Sequence, residues 1–244
     1  MDIIKVNAIE STSTFLKELM TTGPIKNYTV VSAKSQFGGR GQMGSKWVSE
    51  PGKNLLFSMY VEGFGMFVKD AMYLNIAISN AIYNALLPLK IPNLKIKWPN
   101  DILAGGKKIC GILVENTIQK NVIKSTIIGV GLNVNQELFP LELKNASSLK
   151  NVLGKSINQS ILLNSIVVNI TEELELCTSN NFQTLKETYL SNMFKLQTPC
   201  MFKNDTLGDF MGKIVGVNTT GKLLIELEDE SIKEFGLKEV AFLS

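Results

Sequence analysis

A chain of 244 residues with 45% hydrophobic and 19% charged side chains can bury a substantial core, either as one large domain or as a large domain with a small appendage. A net charge of +3 makes no strong electrostatic case for nucleic acid, and apolar runs broken by Lys, Asn or Gly exclude a membrane-spanning helix. Histidine is absent, which excludes serine–histidine and cysteine–histidine catalysis and histidine metal sites; three widely spaced cysteines neither replace them nor make a disulfide framework.

In chain order, MDIIKVNAIE lacks the apolar run of a secretory leader and reads as a strand leading to Ser11. With the cysteine pattern, this sets the expectation of a reducing cytoplasm. Ser11-Thr12-Ser13-Thr14 supplies N-cap oxygens for an amphipathic helix through Phe15–Met20, ended by Gly23-Pro24. Tyr28–Ser32 reads as a strand and delivers the chain into a glycine-dense loop, residues 37–44 (FGGRGQMG). Asn54–Val61 fits a buried strand. Val68–Leu87 carries Met72, Ile76, Ile82 and Leu86 at helical spacing and stops at Pro88. Lys95–Trp98 is a short strand, Ala104-Gly105-Gly106 a tight turn, and Ile109–Ile118 the return strand of a hairpin. Ser125–Val134 is another buried strand. The helical period returns from Gln159 to Asn192 through Leu162, Ile166, Ile170, Leu174, Phe182, Leu185 and Tyr189. After Leu196, short β-like segments with turns at Asn204-Asp205, Thr220-Gly221 and Glu228-Asp229 suggest a small barrel. The expected organisation is an α/β (α+β) domain over residues 1–195 and a small β domain over 196–244.

Three segments carry candidate chemistry. Of the 25 basic residues 24 are lysine; a bias toward lysine accounts for those, but not for the single arginine, Arg40, inside the glycine loop. Arginine offers a planar fork of donors that lysine lacks, and successive glycines let backbone N–H groups converge on an anion. The loop has neither P-loop nor dinucleotide spacing, and alone such a loop is as often a mobile surface turn as a ligand site. The second segment is Lys97-Trp98-Pro99-Asn100-Asp101, followed by Lys107-Lys108 and by Gly111-Ile112-Leu113-Val114-Glu115. Asp101 follows a strand and Lys108 opens the strand that returns, so the two side chains can face one cleft. The plainer alternatives are a packed strand end at Trp98-Pro99 and a solvated hairpin shoulder at Lys107-Lys108. The third is Gly129-Val130-Gly131-Leu132-Asn133, where glycine in a buried strand marks close approach by a ligand or another backbone. Asn133 offers a donor and an acceptor to an adenine-like edge.

The succession Ser11-Thr12, Gly39-Arg40-Gly41-x-x-Gly44-x-Lys46-Trp47, KWPND (97–101), Lys108-Ile109-Cys110 running into GILVE (111–115), and Gly129-x-Gly131-x-Asn133 resembles the catalytic domain of biotin–protein ligases over roughly residues 8–135. KWPND and GILVE are its most specific segments. The resemblance implies a mixed-sheet catalytic domain of the biotin/lipoate-ligase type with a small C-terminal SH3-like β-barrel. It also implies an enzyme that makes biotinyl-5′-AMP from biotin and ATP, with Mg²⁺ on the nucleotide, and then transfers biotin to a lysine of a biotin carboxyl carrier protein.

Carried over position by position, Ser11, Thr12 and Gln36 hold the biotin ureido ring, and Gly39 and Arg40 close over biotin and the α-phosphate. Lys108 meets the biotin carboxylate and the α-phosphate. Gly111, Leu113, Gly129 and Gly131 wall the ring and valeryl chain. Trp47 and Asn133 lie on the nucleotide side with loop glycines Gly41 and Gly44, and Asn100 and Asp101 lie near the phosphates and Mg²⁺. Lys108, Arg40 and Asp101 are the catalytic candidates, and no residue set reads as a protein metal site. Cys110 falls within the pattern but reads as a small buried hydrophobe. Family members are often homodimers, though no interface is legible here. The helix-turn-helix extension of the DNA-binding form does not precede Ser11, so specific DNA binding is not expected; nor, from the broken apolar runs, is membrane association. Two positions depart from the pattern: Gln42 stands where many relatives carry a second arginine, and Ser45 where others carry a basic residue.

The nearest rival, a lipoate or octanoate ligase, typically carries Arg-Arg-x-x-Gly-Gly-Gly and a nearby His-Asp, and this chain has no histidine. A non-catalytic biotin sensor is a rival of another class. Binding alone would not need both Lys108 and Arg40 around a phosphate.

Overall fold

The structure, a computed structural model, describes residues 2–63 and 65–243. A seven-stranded mixed sheet is built from β1 (Ile3–Ile9), β2 (Val30–Gln36), β3 (Leu55–Glu62), β4 (Lys95–Lys97), β5 (Asp101–Ala104), β6 (Lys107–Gln119) and β7 (Val122–Leu132), in the order β1-β2-β3-β7-β6-β5-β4. Only β1 and β2 run parallel, and the helix α1 (Thr12–Thr22) between them supplies the crossover that parallel pairing requires. The glycine loop leaves the end of β2, and the segments containing Asp101, Lys108 and Gly131 occupy neighbouring strands of the same sheet.

Both faces of the central strands are covered, which is why β3 reads as a nearly continuous apolar run. Leu55, Phe57, Met59 and Val61 enter the main core with α2 (Met72–Leu86) and α4 (Gln159–Thr178). Tyr60 of β3 packs on the opposite face with Leu16 of α1, Val31 and Ile127. Ser58 shares that face by the two-residue period of the strand and is fully buried.

Two sequence expectations are revised, and one element is new. The helical stretch from 159 to 192 is two helices, α4 and α5 (Phe182–Ser191), separated where Asn180 takes φ 57° and Asn181 N–H donates to Leu176 O at 2.9 Å. Asparagine tolerates the left-handed conformation that ends a helix, and the apolar period runs on because both helices face one core. The hairpin expected around Gly105-Gly106 is a three-stranded meander in which Asp101 heads β5 rather than trailing a strand. The chain also forms a short helix, α3 (Leu149–Leu153), whose N-terminus is capped by Ser148 Oγ accepting from Asn151 N–H at 3.1 Å.

Residues 199–242 form a second, antiparallel sheet of β8 (Pro199–Asn204), β9 (Gly208–Val217), β10 (Leu223–Leu227), β11 (Ile232–Phe235) and β12 (Ala241–Phe242), in the order β11-β10-β9-β8-β12. Phe235 near one edge stacks on Phe210, and Phe242 at the other tilts against Phe202, with ring centres 5.7 and 5.0 Å apart. The five short antiparallel strands agree with the small β domain expected from the turn spacing. No described helix is long and apolar enough to cross a membrane.

Away from the sheet, α4 turns Glu173 toward α2, where Asn84 Nδ2 donates to its carboxylate at 2.9 Å. Burial raises the Glu173 pKa, opposed by hydrogen bonds from Asn80 and Asn84 and assisted by the Glu172 charge. A carboxyl group raised in the folded state favours folding while protonated and loses that contribution as pH rises through its folded pKa. Glu173→Gln keeps an acceptor for Asn84 but cannot ionise. It is expected to raise the thermal midpoint at pH 7 and to give no advantage near pH 4, where the native carboxyl is itself largely neutral. A midpoint unchanged or lowered at pH 7 would contradict this account.

Candidate active site

The cavity begins where α1 starts beside the ends of β1 and β2. Ser11 occupies the N-cap position but makes no capping hydrogen bond. Instead Gln36 Oε1 accepts from Thr12 N–H at 2.7 Å and from Thr12 Oγ1 at 3.1 Å. Ser58 Oγ lies 2.7 Å from Thr12 Oγ1 and 2.9 Å from Ser13 Oγ. Ser11, Thr12, Ser13 and Gln36, none of them charged, thus line one cavity wall, with Ser58 fully buried against the hydroxyls.

The floor comes from β6 and β7, where Gly111 pairs with Gly131 and Leu113 with Gly129. A Cβ on Gly131 would lie 2.5 Å from the Trp47 indole and one on Gly111 3.0 Å, whereas Gly129 faces Ser13 Oγ at 3.0 Å. The close approach that strand glycines signal is therefore made, in this structure, by a tryptophan of the loop above. Trp47 stays there because the loop closes on itself: Gly41 N–H donates to Ser45 O at 2.7 Å and Trp47 N–H to Gly39 O at 2.9 Å. Its indole Nε1 is buried with no hydrogen-bond partner.

Lys108 reaches the cavity through a break in strand alternation. Ile102 pairs with Cys110 but Leu103 pairs with Lys108, so Ile109 is an extra residue. Ile109 and Cys110, adjacent in sequence, both enter the core with no exposure. In regular alternation Lys108 would share the face of Cys110; the bulge places it with Gly111 on the cavity face. Both its backbone groups are bound, N–H to Asn145 O at 2.7 Å and O accepting from Ser147 N–H at 2.9 Å. Its Nζ lies 2.7 Å from Asp101 Oδ1 and 5.6 Å from the Trp47 ring centre. The contact with Asp101 is an ion contact without directed hydrogen-bond geometry. Burial pushes the Cys110 thiol well above its ordinary range, against the pull of Lys108, so it stays protonated.

Arg40 faces Glu115, the last residue of GILVE, with Nη2 3.5 Å from Oε2; Lys17 of α1 holds the other oxygen of that carboxylate at 2.7 Å. The cavity, about 150 Å³, unites Ser11, Thr12 and Gln36 with Arg40, Gly41 and Trp47 of the loop, Asn100, Asp101 and Lys108 of the meander, and Gly111, Leu113, Gly129 and Gly131.

The match to known proteins agrees with this arrangement. The model of the biotin/lipoate A/B protein ligase family matches residues 6–133. This chain belongs to that family. It is 31% identical to the bifunctional ligase/repressor BirA of Bacillus spizizenii over 95% of this chain and 71% of that protein. With the BirA of Escherichia coli K12 it is 28% identical over 97% and 72%. Among solved structures it is similar to a biotin protein ligase from Aquifex aeolicus in complex with biotin and ATP, with a TM-score of 0.82, 29% identity, and 99% and 98% of the two chains covered.

Three of the expected residues stand apart from the family cavity. Gly39 and Gly44 line an adjoining hollow on the other side of the loop with Glu10, Phe37 and Glu115. Asn133 is buried off the cavity; its Nδ2 donates to Ser147 O at 3.0 Å, while its Oδ1 has no partner. Sequence reasoning missed Ser13 and Ser58 of the hydroxyl cluster, although a serine inside the apolar run of β3 was an available signal. It also missed the ion-pair partners Lys17 and Glu115, which lie 98 positions apart and meet only through the fold.

The glycine floor generates a test. Gly131→Ala places a methyl within contact of the Trp47 ring and should lift the indole, at a cost of roughly 1–3 kcal/mol for an overpacked site. In a Trp98→Phe background, where Trp47 is the sole tryptophan, its emission should move to longer wavelength and acrylamide quenching should increase. An emission spectrum identical to that of the parent would contradict the packing described.

Proposed function

We propose that this protein joins biotin to ATP, forming biotinyl-5′-AMP and pyrophosphate, and then passes biotin to a lysine of a biotin carboxyl carrier protein. The observation that carries the proposal is Lys108, set by a bulge under a glycine loop, in a cavity whose other wall is uncharged and hydrogen-bonding. Ser11, Thr12 and Gln36 suit a neutral ureido ring, and Leu113 with the glycine floor suits the fused rings and aliphatic chain once Trp47 yields space.

The reaction brings a carboxylate oxygen of biotin onto an α-phosphorus that is itself anionic, with the O–P bond to pyrophosphate breaking. Lys108 and Arg40 lower that repulsion. Both are held by carboxylates in partly exposed pairs, where exchanging one anionic partner for another costs little. When Arg40 leaves Glu115, Lys17 remains to neutralise it. Mg²⁺ arriving with ATP supplies further charge neutralisation, and no cluster of three acidic or cysteine ligands exists among the described residues to bind it alone. One carboxylate plus substrate phosphates is an ordinary Mg²⁺ environment, so Asp101 with Asn100 fits that role. In the second step the carrier amine attacks the acyl carbon and AMP departs. At pH 7 only about 0.04% of an ordinary lysine is unprotonated, and the proposal gives the acceptance of its proton to Asp101, a carboxylate that lines the cavity.

The cytoplasm remains the proposed location, supported by three free cysteines of which two are buried. A role on DNA forms no part of the proposal.

Lys108→Ala should lower biotin-dependent ATP–pyrophosphate exchange by roughly 10²–10³ while leaving the thermal midpoint near that of the parent. Exchange at the parental rate would remove Lys108 from the reaction, and absence of biotin-dependent exchange in the parent would overturn the function itself.

Gln42 lines the cavity with a neutral amide where a cation would attract the adenylate. Gln42→Arg should therefore slow release of preformed biotinyl-AMP several-fold at low salt, an advantage that shrinks as salt screens it. Identical release rates for the two proteins at matched salt would show that the charge at this position is immaterial.

A further inference from the structure

The C-terminal sheet touches the adenylation segments at two separate places. Its turn at Asn218–Gly221 accepts a hydrogen bond from Trp98, indole Nε1 to Gly221 O at 2.9 Å, next to Asn100 and Asp101. Its segment after β11 reaches the glycine loop itself: Lys238 Nζ donates to Met43 O at 3.0 Å across 195 positions of sequence. Beside that contact, Leu237 and Gln42 line the same seam cavity, and Gln42 also lines the active-site cavity.

Met43 is the tip of the loop. It holds φ 49°, a left-handed conformation uncommon for a residue with a side chain, and the next residue, Gly44, is also left-handed at φ 77°. Two consecutive left-handed residues fold the tip back, which aims the Met43 carbonyl at a neighbour outside the loop. Lys238 has no carboxylate within ion-pair distance among the described residues, and Glu239 beside it is occupied in capping Gly236 N–H. The ammonium is therefore committed to the loop carbonyl, with two further N–H donors unspent.

We propose that Lys238 is a positioning residue for the glycine loop, holding its tip against the C-terminal sheet so that the loop stays closed over the cavity. This rests on the function proposed above, because what the closed loop retains is biotinyl-AMP. Lys238 itself touches no reacting atom. The clamp transmits the position of the C-terminal sheet, fixed at Trp98, to the loop that carries Arg40 and Trp47.

The composition offers a direct readout. Arg40 is the only arginine, so an arginine-specific protease has one target in the whole chain, the Arg40–Gly41 bond inside the loop. In the full-length Lys238→Met variant, which keeps the apolar stem and loses the donor, that bond should be cut about three- to tenfold faster, the loss corresponding to one net hydrogen bond. The thermal midpoint should be unchanged, because the contact is exposed. Release of preformed biotinyl-AMP should accelerate by a similar factor, and Lys238→Arg should restore the parental release rate. Cleavage of Lys238→Met at the parental rate would overturn the clamp. Faster cleavage with a lowered midpoint, or failure of Lys238→Arg to restore slow release, would also overturn it by showing a merely structural role. If the parent forms no adenylate, the functional proposal fails while the cleavage comparison still decides whether Lys238 holds the loop.

Discussion

The close pairing of Gly111 with Gly131 across β6 and β7 is the constraint around which the site is arranged. With no side chains there, a planar group can lie directly on the sheet, and the Trp47 indole does so. That seat anchors one end of the glycine loop and holds the ring within reach of the Lys108 charge. It also sets the depth of the cavity, since a Cβ on either glycine would meet the indole at 3.0 Å or less. Substrate and tryptophan compete for one surface, so loop position and site occupancy are coupled by excluded volume.

Charge around this floor is arranged as pairs that can be exchanged. Lys108 leans on Asp101, and Arg40 shares Glu115 with Lys17. In each case the carboxylate keeps a cation in place before an anionic substrate arrives. Sharing matters at Glu115, because a carboxylate that loses its only partner in a partly buried place resists the exchange. The hydroxyl cluster at Thr12, Ser13 and Ser58 follows the opposite rule, being neutral and mutually satisfied, and so suits a polar ligand that carries no charge.

The strands and helices with a single clear period were legible in sequence: β3, α2, β7 and the β-rich end all lie close to where apolar spacing puts them. So were most of the residues that line the cavity, because glycines, KWPND and GILVE are local patterns. What escaped depended on departures from period or on distance. The bulge at Ile109 reverses strand alternation; Lys108 is picked out by its place in the pattern, but the two-residue period alone would turn it to the face of Cys110. The break at Asn180 interrupts two helices that face the same core, so hydrophobic spacing continues across it. The place of Asn133 after its strand suggests a nucleotide edge, whereas in the fold its Nδ2 is bound to Ser147 and the residue is buried away from the cavity. Glu115 stands in sequence as one letter of a pattern, and its partners Lys17 and Arg40 meet it only through the packing of α1 and the loop against β6.

The two sheets are separate in strand order but not in their interiors. Phe202, Ile214, Val217, Leu223, Ile225 and Phe235 of the C-terminal sheet belong to the same buried apolar cluster as Ile96, Tyr189 and Met193 of the larger domain. Surface of that kind stabilises both parts only while they stay together, at about 25 cal/mol for each Å² kept from water. Neither part is then an independent thermodynamic unit: melting should run as one cooperative transition, and a truncation near residue 196 would bare an oily face and report on insolubility before it reported on catalysis.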